Sequence, residues 1–262
     1  IRALAPVLVD KRSEPPVLAI SEDGSAVVPL LGGHNGANRL ARELAASLGV
    51  QAAVTTAGDV SLGLALDDPP PGWVIANPEA AKPIAAALLA GHAIGLQVDS
   101  GDAGWLTESD VTFIEGMSAG VTVTHKTNRS NDDRLVLHPP VLALRVGCER
   151  DCAADELIAL MEETLANASL APESITCVVS IYLKADEAAV HALADHLGVP
   201  ARFFSAEDLE AETTRLANPS DVVFAEVGCH GVAEGAALAA VGEDGELLVP
   251  KHKSKRATCA VG

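Results

Sequence analysis

Short apolar runs broken by glycine or proline recur along the chain, and several pass into stretches of helical spacing. Val17-Leu18-Ala19-Ile20 and Ala26-Val27-Val28 predict two strands joined by a turn at Glu22-Asp23-Gly24. Gly32-Gly33 then closes an apolar run. Leu40, Leu44 and Leu48 fall four apart beyond it, which predicts a helix capped by Asn35 or Asn38. Ala52-Ala53-Val54-Thr55 predicts the next strand, so strand, helix and strand form a parallel pair with a right-handed crossover. Upstream, Ile1 to Leu8 reads as the end of a helix stopped by Pro15-Pro16.

Pro69-Pro70-Pro71-Gly72 breaks the pattern. Trp73–Ala76 predicts a strand, and Asn77-Pro78 starts a helix that runs to Leu89 and ends at Gly91. His92–Val98, Val111–Ile114 and Val121–Thr124 read as strands, and His125–Arg129 as a solvated hairpin loop. Beyond His138-Pro139-Pro140, Val141–Val146 predicts a strand, Gly147-Cys148 a turn and Ala154–Ala168 a helix. Glu173–Leu183 is ambiguous, Glu187–Leu197 helical and Ala201–Phe204 a strand, followed by a capping box from Ser205 to Asp208. Val222–Val227 predicts a strand, Gly228–Val232 a third glycine loop and Ala233–Ala240 a helix. Leu247–Val249 and Ala257–Val261 close the chain as a hairpin with a basic loop, Lys251 to Arg256. The whole is an α/β protein of strand–helix units with Gly-rich β–α loops, in two or three small domains: 1–58, 59–138 and 139–262.

The first glycine loop carries candidate chemistry. A helix N-terminus offers free N–H groups and the positive end of the helix dipole, so it can hold a carboxylate or phosphate. In parallel sheets ligands sit beyond the carboxyl ends of strands, where Gly32, Gly33, Gly36 and Asn38 fall. His34 stands at the mouth, able to move a proton. The plain alternative is a structural β–α connection with a surface histidine, since the spacing is that of no standard nucleotide loop. Thr55 and Thr56 can bond a ligand or their own loop. In the last domain Cys148 and Arg150 occupy the equivalent junction, where Arg150 could grip a carboxylate in a two-bond fork.

Charge narrows the field. A formal net charge of −18 argues against a nucleic-acid partner, which needs a basic face. The apolar stretch Ile84–Ala90 is far too short to span a bilayer, and nothing reads as a signal peptide, so a cytoplasmic protein is expected. The five cysteines are irregularly spaced and contain no C-x2-C pair, so no metal site is expected.

Gly32-Gly33-His34-Asn35-Gly36-Ala37-Asn38 with Leu40-Ala41 resembles the signature of the cobalamin-biosynthesis G protein family, the cobalt-precorrin-5A hydrolases. Thr55-Thr56-Ala57-Gly58-Asp59 resembles its T-T-A-x-D segment, and Val146–Arg150 its G-x-G-C-R segment. Leu183–Glu187 matches L-K-A-D-E, and Val249–Lys253 with Ala257–Val261 resembles the C-terminal V-P-K-x-K…T-x-A-V. The last three also occur in a stand-alone relative, the E protein of the aerobic pathway.

The resemblance implies opening of a δ-lactone on a cobalt corrin precursor and loss of acetaldehyde. Cobalt would be carried by the substrate, with no protein cofactor. It also implies a first domain that begins upstream of Ile1. His34 is the candidate base for that chemistry, or else a substrate-binding residue, with Glu187 or Glu226 as substitutes in the base role. Lys184, Lys251 and Lys253 are candidates for the peripheral carboxylates. A second class stays open: a non-catalytic carrier of the corrinoid intermediate, acting with a pathway methyltransferase. A nucleotide-binding α/β protein is a weaker third.

Overall fold

The computed structural model describes residues 2, 4, 5, 8, 14–56, 58, 61–127 and 133–262, and of His34 only the backbone. The helix expected over Ile1–Leu8 falls largely outside these residues, as do Ala57, Asp59, Asn128 and Arg129. The protein is mixed α/β, and among the described residues its strands form three separate sheets.

The first sheet has three strands in the order β1-β2-β3 (β1 Val17–Ile20, β2 Ala26–Leu31, β3 Gln51–Ala52). β1 and β2 form the expected antiparallel hairpin. Asp23 ties its turn by accepting from the Ser25 N–H at 3.0 Å and the Ser25 hydroxyl at 2.7 Å. Helix α1 (Ala37–Leu48) crosses from β2 to the parallel β3. Its buried face is Ala37, Asn38, Ala41 and Ala45, while Leu40 and Leu48 are exposed. Small side chains let the helix lie close on so short a sheet. Neither asparagine caps α1: the N-cap is Gly36, in the left-handed region at φ 89°.

The second sheet has the order β4-β7-β6-β5 (β4 Val74–Ile75, β5 Gly95–Val98, β6 Gly120–Val123, β7 Arg134–His138). Helix α2 (Pro78–Leu89) starts at Pro78 as expected, yet Asn77 spends its side chain on the sheet. Its amide donates to the Arg134 carbonyl at 2.7 Å, and its oxygen accepts from Val136 N–H at 2.8 Å. After β5 comes the short helix α3 (Gly104–Thr107). The strand expected over 111–114 is reduced to one bridge, Ile94 to Phe113. The hairpin expected over 125–129 is corrected too. β6 and β7 are parallel, so their link is a crossover, and its first residues pair with residues 169–171. His125 C=O accepts from Ala171 N–H at 2.8 Å, and Thr127 N–H donates to Ser169 C=O at 2.9 Å.

The third sheet has the order β10-β9-β8-β12-β11 (β8 Leu142–Cys148, β9 Ile175–Ile181, β10 Ala201–Phe204, β11 Val249–Lys253, β12 Ala257–Val261). β8, β9 and β10 are parallel, while β12 joins β8 antiparallel. Helices α4 (Ala154–Ala168) and α5 (Ala188–Leu197) cover one face, packing on Leu142, Leu144 and Val146. The alternate residues face the other way, where Ala143 meets Ala236 of helix α8 (Val232–Val241). A parallel sheet covered on both faces explains the continuous apolar runs.

The connection from β10 to α8 holds α6 (Ala206–Glu210), with the expected capping box from Ser205, and α7 (Asp221–Val227). The strand expected over 222–227 is therefore a helix, set by the Ser220 cap at its start and left-handed Gly228 at its end. Residues 228–231 join two helices rather than a strand and a helix. Gly147 and Cys148, expected in a turn, belong to β8, and Lys251–Lys253 lie within β11. No single helix among the described residues is long and apolar enough to cross a membrane.

Candidate functional site

Two adjoining cavities open on the α8 side of the third sheet. The larger, about 400 Å³, sits at the carboxyl ends of β8 and β9, between Cys148, Lys184 and the Lys253–Thr258 turn. The smaller, about 230 Å³, lies between α7, the first turn of α8 and Lys251. Arg145, Val232 and Thr258 line both. This is where parallel strands place ligands.

Charge is concentrated there. Six of the chain's 18 lysines and arginines line these cavities: Arg145, Lys184, Lys251, Lys253, Lys255 and Arg256. Three carboxylates, Glu149, Glu226 and Glu234, do so too. Glu149 is engaged by Arg256 Nε at 3.1 Å. Glu234 is buried and takes the Asn218 backbone and side-chain N–H groups at 2.9 and 2.7 Å. Burial pushes its carboxyl up, but these bonds and one from Lys251 N–H outweigh that and hold it below the ordinary value. Burial, then the neighbouring Lys253 and Arg145, lowers the Lys251 ammonium. A positive cleft in an acidic protein attracts anions locally even where long-range attraction is absent.

Sequence reasoning missed two residues here. Arg145 interrupts an apolar strand and is only 5% exposed. His230 lines the smaller cavity and is held by Glu210, whose Oε1 lies 2.9 Å from Nδ1. The Phe224 ring stacks on it at 4.5 Å. A carboxylate on Nδ1 fixes the tautomer and leaves Nε2 to exchange a proton. Nε2 stands 3.5 Å from the exposed Asp221.

Of the residues read from sequence, Lys184, Lys253 and Cys148 line the larger cavity, and Lys251 and Glu226 the smaller. Burial pushes the Cys148 thiol up to about 11, so it is neutral. Arg150 is engaged by protein carboxylates instead of an open site: Nη1 lies 2.7 Å from Asp186 and 3.8 Å from Glu187. Glu187 is buried, and its Oε2 faces Lys184 Nζ at 3.6 Å without a hydrogen bond.

The loop of the first sheet forms a separate group. Gly32 has φ 71°, and a Cβ there would meet the Pro15 carbonyl at 2.8 Å, so glycine is required by the backbone. Asn38 donates to Thr56 Oγ1 at 2.7 Å and Asn35 to the Glu14 carbonyl at 2.7 Å. Gly33–Asn35 forms a short 3-10 turn; the His34 side chain lies outside the described residues. Thr55 is exposed.

Three family models match in order along the chain. They are the cobalamin synthesis G N-terminal region at residues 1–59, the cobalamin biosynthesis central region at 70–139 and the cobalamin synthesis G C-terminus at 142–262. A cobalt-precorrin-5A hydrolase of Priestia megaterium is 32% identical over 282 residues, covering 100% of this chain and 75% of that protein. Protein CobE of a Sinorhizobium species is 52% identical over 120 residues, covering 46% of this chain and 78% of CobE. A crystal structure of CobE, from the cobalamin pathway, aligns with 47% of this chain and 89% of its own, at 36% identity and a TM-score of 0.44. By the order and extent of these matches, the chain belongs to the cobalamin-biosynthesis G protein family.

Proposed function

We propose that this chain acts in cobalamin biosynthesis as a cobalt-precorrin-5A hydrolase, and that the cationic cleft of the third sheet holds the substrate's carboxylates. The observation that carries the reading is the gathering of six cations around two adjoining cavities in a chain of net charge −18. Water adds to the lactone carbonyl, the ring C–O bond breaks, and a carboxylate and a hydroxyl are left. Loss of the hydroxyl proton then breaks a C–C bond, acetaldehyde departs and the electron pair stays on the macrocycle. Both steps need a group that accepts a proton, and the first needs donors for an oxyanion.

His34 and His230 are the two proton carriers proposed, in the 3-10 turn after β2 and in the connection between α7 and α8 respectively. Glu187 and Glu226 are weaker substitutes, because Glu187 is held by Lys184 and Arg150 and Glu226 is exposed. The units 1–58, 59–138 and 139–262 are proposed as the three domains.

Incubation with cobalt-precorrin-5A and trapping of acetaldehyde tests the reading; release without added nucleotide or metal is expected. The second reading is a corrinoid carrier acting with a methyltransferase. It is favoured by the placing of the cleft on one sheet and the glycine loop on another. Tight binding of the intermediate with no acetaldehyde selects it.

A further inference from the structure

We propose that Arg145 and the first turn of α8 form an interior pocket for a single carboxylate, the deepest anchor for one carboxyl arm of the ligand. The inference rests on the reading of a carboxylate-bearing substrate and names the group that would hold it most tightly.

The strand dictates where the guanidinium goes. Leu142, Leu144 and Val146 belong to the core beneath α4 and α5, so Ala143, Arg145 and Gly147 take the α8 face. Arg145 leans along β8 towards its carboxyl end and lies over Gly147. A Cβ at 147 would meet Nη2 at 2.6 Å and Nη1 at 3.2 Å. The glycine in this junction thus seats a guanidinium rather than bending the chain.

That guanidinium lacks a counterion among the described residues. Among the described residues no carboxylate lies within ion-pair distance of it. Nη1 donates to Thr258 Oγ1 at 2.5 Å, and buried Nε has no hydrogen-bond partner. Its candidate negative neighbours are only the thiolates of Cys259, Cys148 and Cys229. Burial raises all three thiols, Cys148 and Cys259 to about 11, so they stay neutral. Burial also pushes Arg145 down, to about 10, which still leaves it cationic at neutral pH. One bond to a neutral hydroxyl does not offset a buried charge.

The surroundings complete an anion site. Arg145 lines both cavities, and so does Val232, the first residue of α8. The N-cap of this ten-residue helix is Gly231, with no side-chain cap bond, so its first turn offers backbone donors and the positive dipole end. Glu234 in the same turn is occupied by Asn218. The planar fork of an arginine suits a carboxylate.

The test is a titration of the whole chain with propionate at constant ionic strength. It is followed by the amide resonances of Val232 and Ala233 and the Nε–H resonance of Arg145. Saturable shifts in the wild type, lost in Arg145→Gln and in Gly147→Ala, are the expected result. Unmoved resonances in the wild type, or equal shifts in Arg145→Gln, overturn the pocket. A parallel titration with inorganic phosphate that saturates at far lower concentration would replace the carboxylate by a phosphate. With cobalt-precorrin-5A, Arg145→Gln is expected to raise KM by about tenfold or more, with little loss of kcat. Propionate binding without acetaldehyde release leaves the pocket standing and the hydrolase fallen. Acetaldehyde release with an unchanged KM in Arg145→Gln does the reverse. If a variant does not fold, the wild-type titration still decides.

Discussion

Glu210 holds His230 at two points. Its Oε2 accepts the His230 backbone N–H at 2.9 Å, while Oε1 lies 2.9 Å from the ring Nδ1. The hydrogen bond with His230 lowers the Glu210 carboxyl below its ordinary value, so it is ionised and orients the ring at neutral pH. His230→Ala is expected to fold normally and to lose about 10²–10⁴ in kcat if this ring moves the proton. The same measurement on His34→Ala decides between the two histidines. A full rate in His230→Ala with a fall in His34→Ala would place the chemistry at the first loop.

Lys184, at the end of the 3-10 turn after β9, and Lys251 and Lys253, both in β11, converge on the cavities from two different elements. Changing each to Ala should raise KM more than it lowers kcat, the mark of binding lost equally from ground and transition states. Added salt should weaken the wild type and flatten the differences among the variants. Unchanged KM in all three would leave them ordinary surface cations.

Asn77 joins α2 to β7 through a part-buried bond at 2.7 Å and a buried one at 2.8 Å. Asn77→Ala strands the Val136 N–H and the Arg134 carbonyl, at an expected cost of about 1–3 kcal/mol. Urea denaturation should show a lower midpoint at an unchanged slope.

Glu234 is buried, and its carboxyl is held below the ordinary value of 4.5. A depressed carboxyl contributes stability that is present above its unfolded value and lost as pH falls through the folded one. Thermal melts of the wild type should therefore drop steeply once pH passes below the ordinary glutamate range. Glu234→Gln should be less stable at neutral pH and show a shallower acid limb. Parallel limbs would mean that other carboxylates govern acid unfolding.

Much of the fold was legible because spacing and punctuation agreed. Ala154–Ala168 is helical to the residue, with Leu157, Met161 and Leu165 buried as the spacing implied. The Ser205 capping box formed as read. Val222–Val227 misled because Val-Val-Phe-Ala-Glu-Val is β-like in composition, and only its two caps make it helical. β7 went unread because its apolar residues run straight into the His138-Pro139-Pro140 boundary.

The cleft was half legible. Its lysines advertise themselves in Lys184 and Val249–Lys253, and a charge run near a chain's end is visible in any sequence. Arg145 was hidden inside an apolar run. The available signal was a lone arginine two residues before a glycine on the same strand face. Glu210 and His230 are twenty residues apart and meet only through the turn between α7 and α8. No spacing rule reaches that pairing.

The main-chain bonds between residues 125–127 and 169–171 bear on where this protein can be divided. They lace the second sheet's crossover to the segment between α4 and β9. A cut near residue 140 would separate the sequence cleanly and the structure badly. It would leave the Ala171 N–H and the Ser169 carbonyl on a raw margin, free to recruit another chain. A clone of residues 142–262 alone should therefore carry residues 120–139 with it, or be given a substitute for that seam.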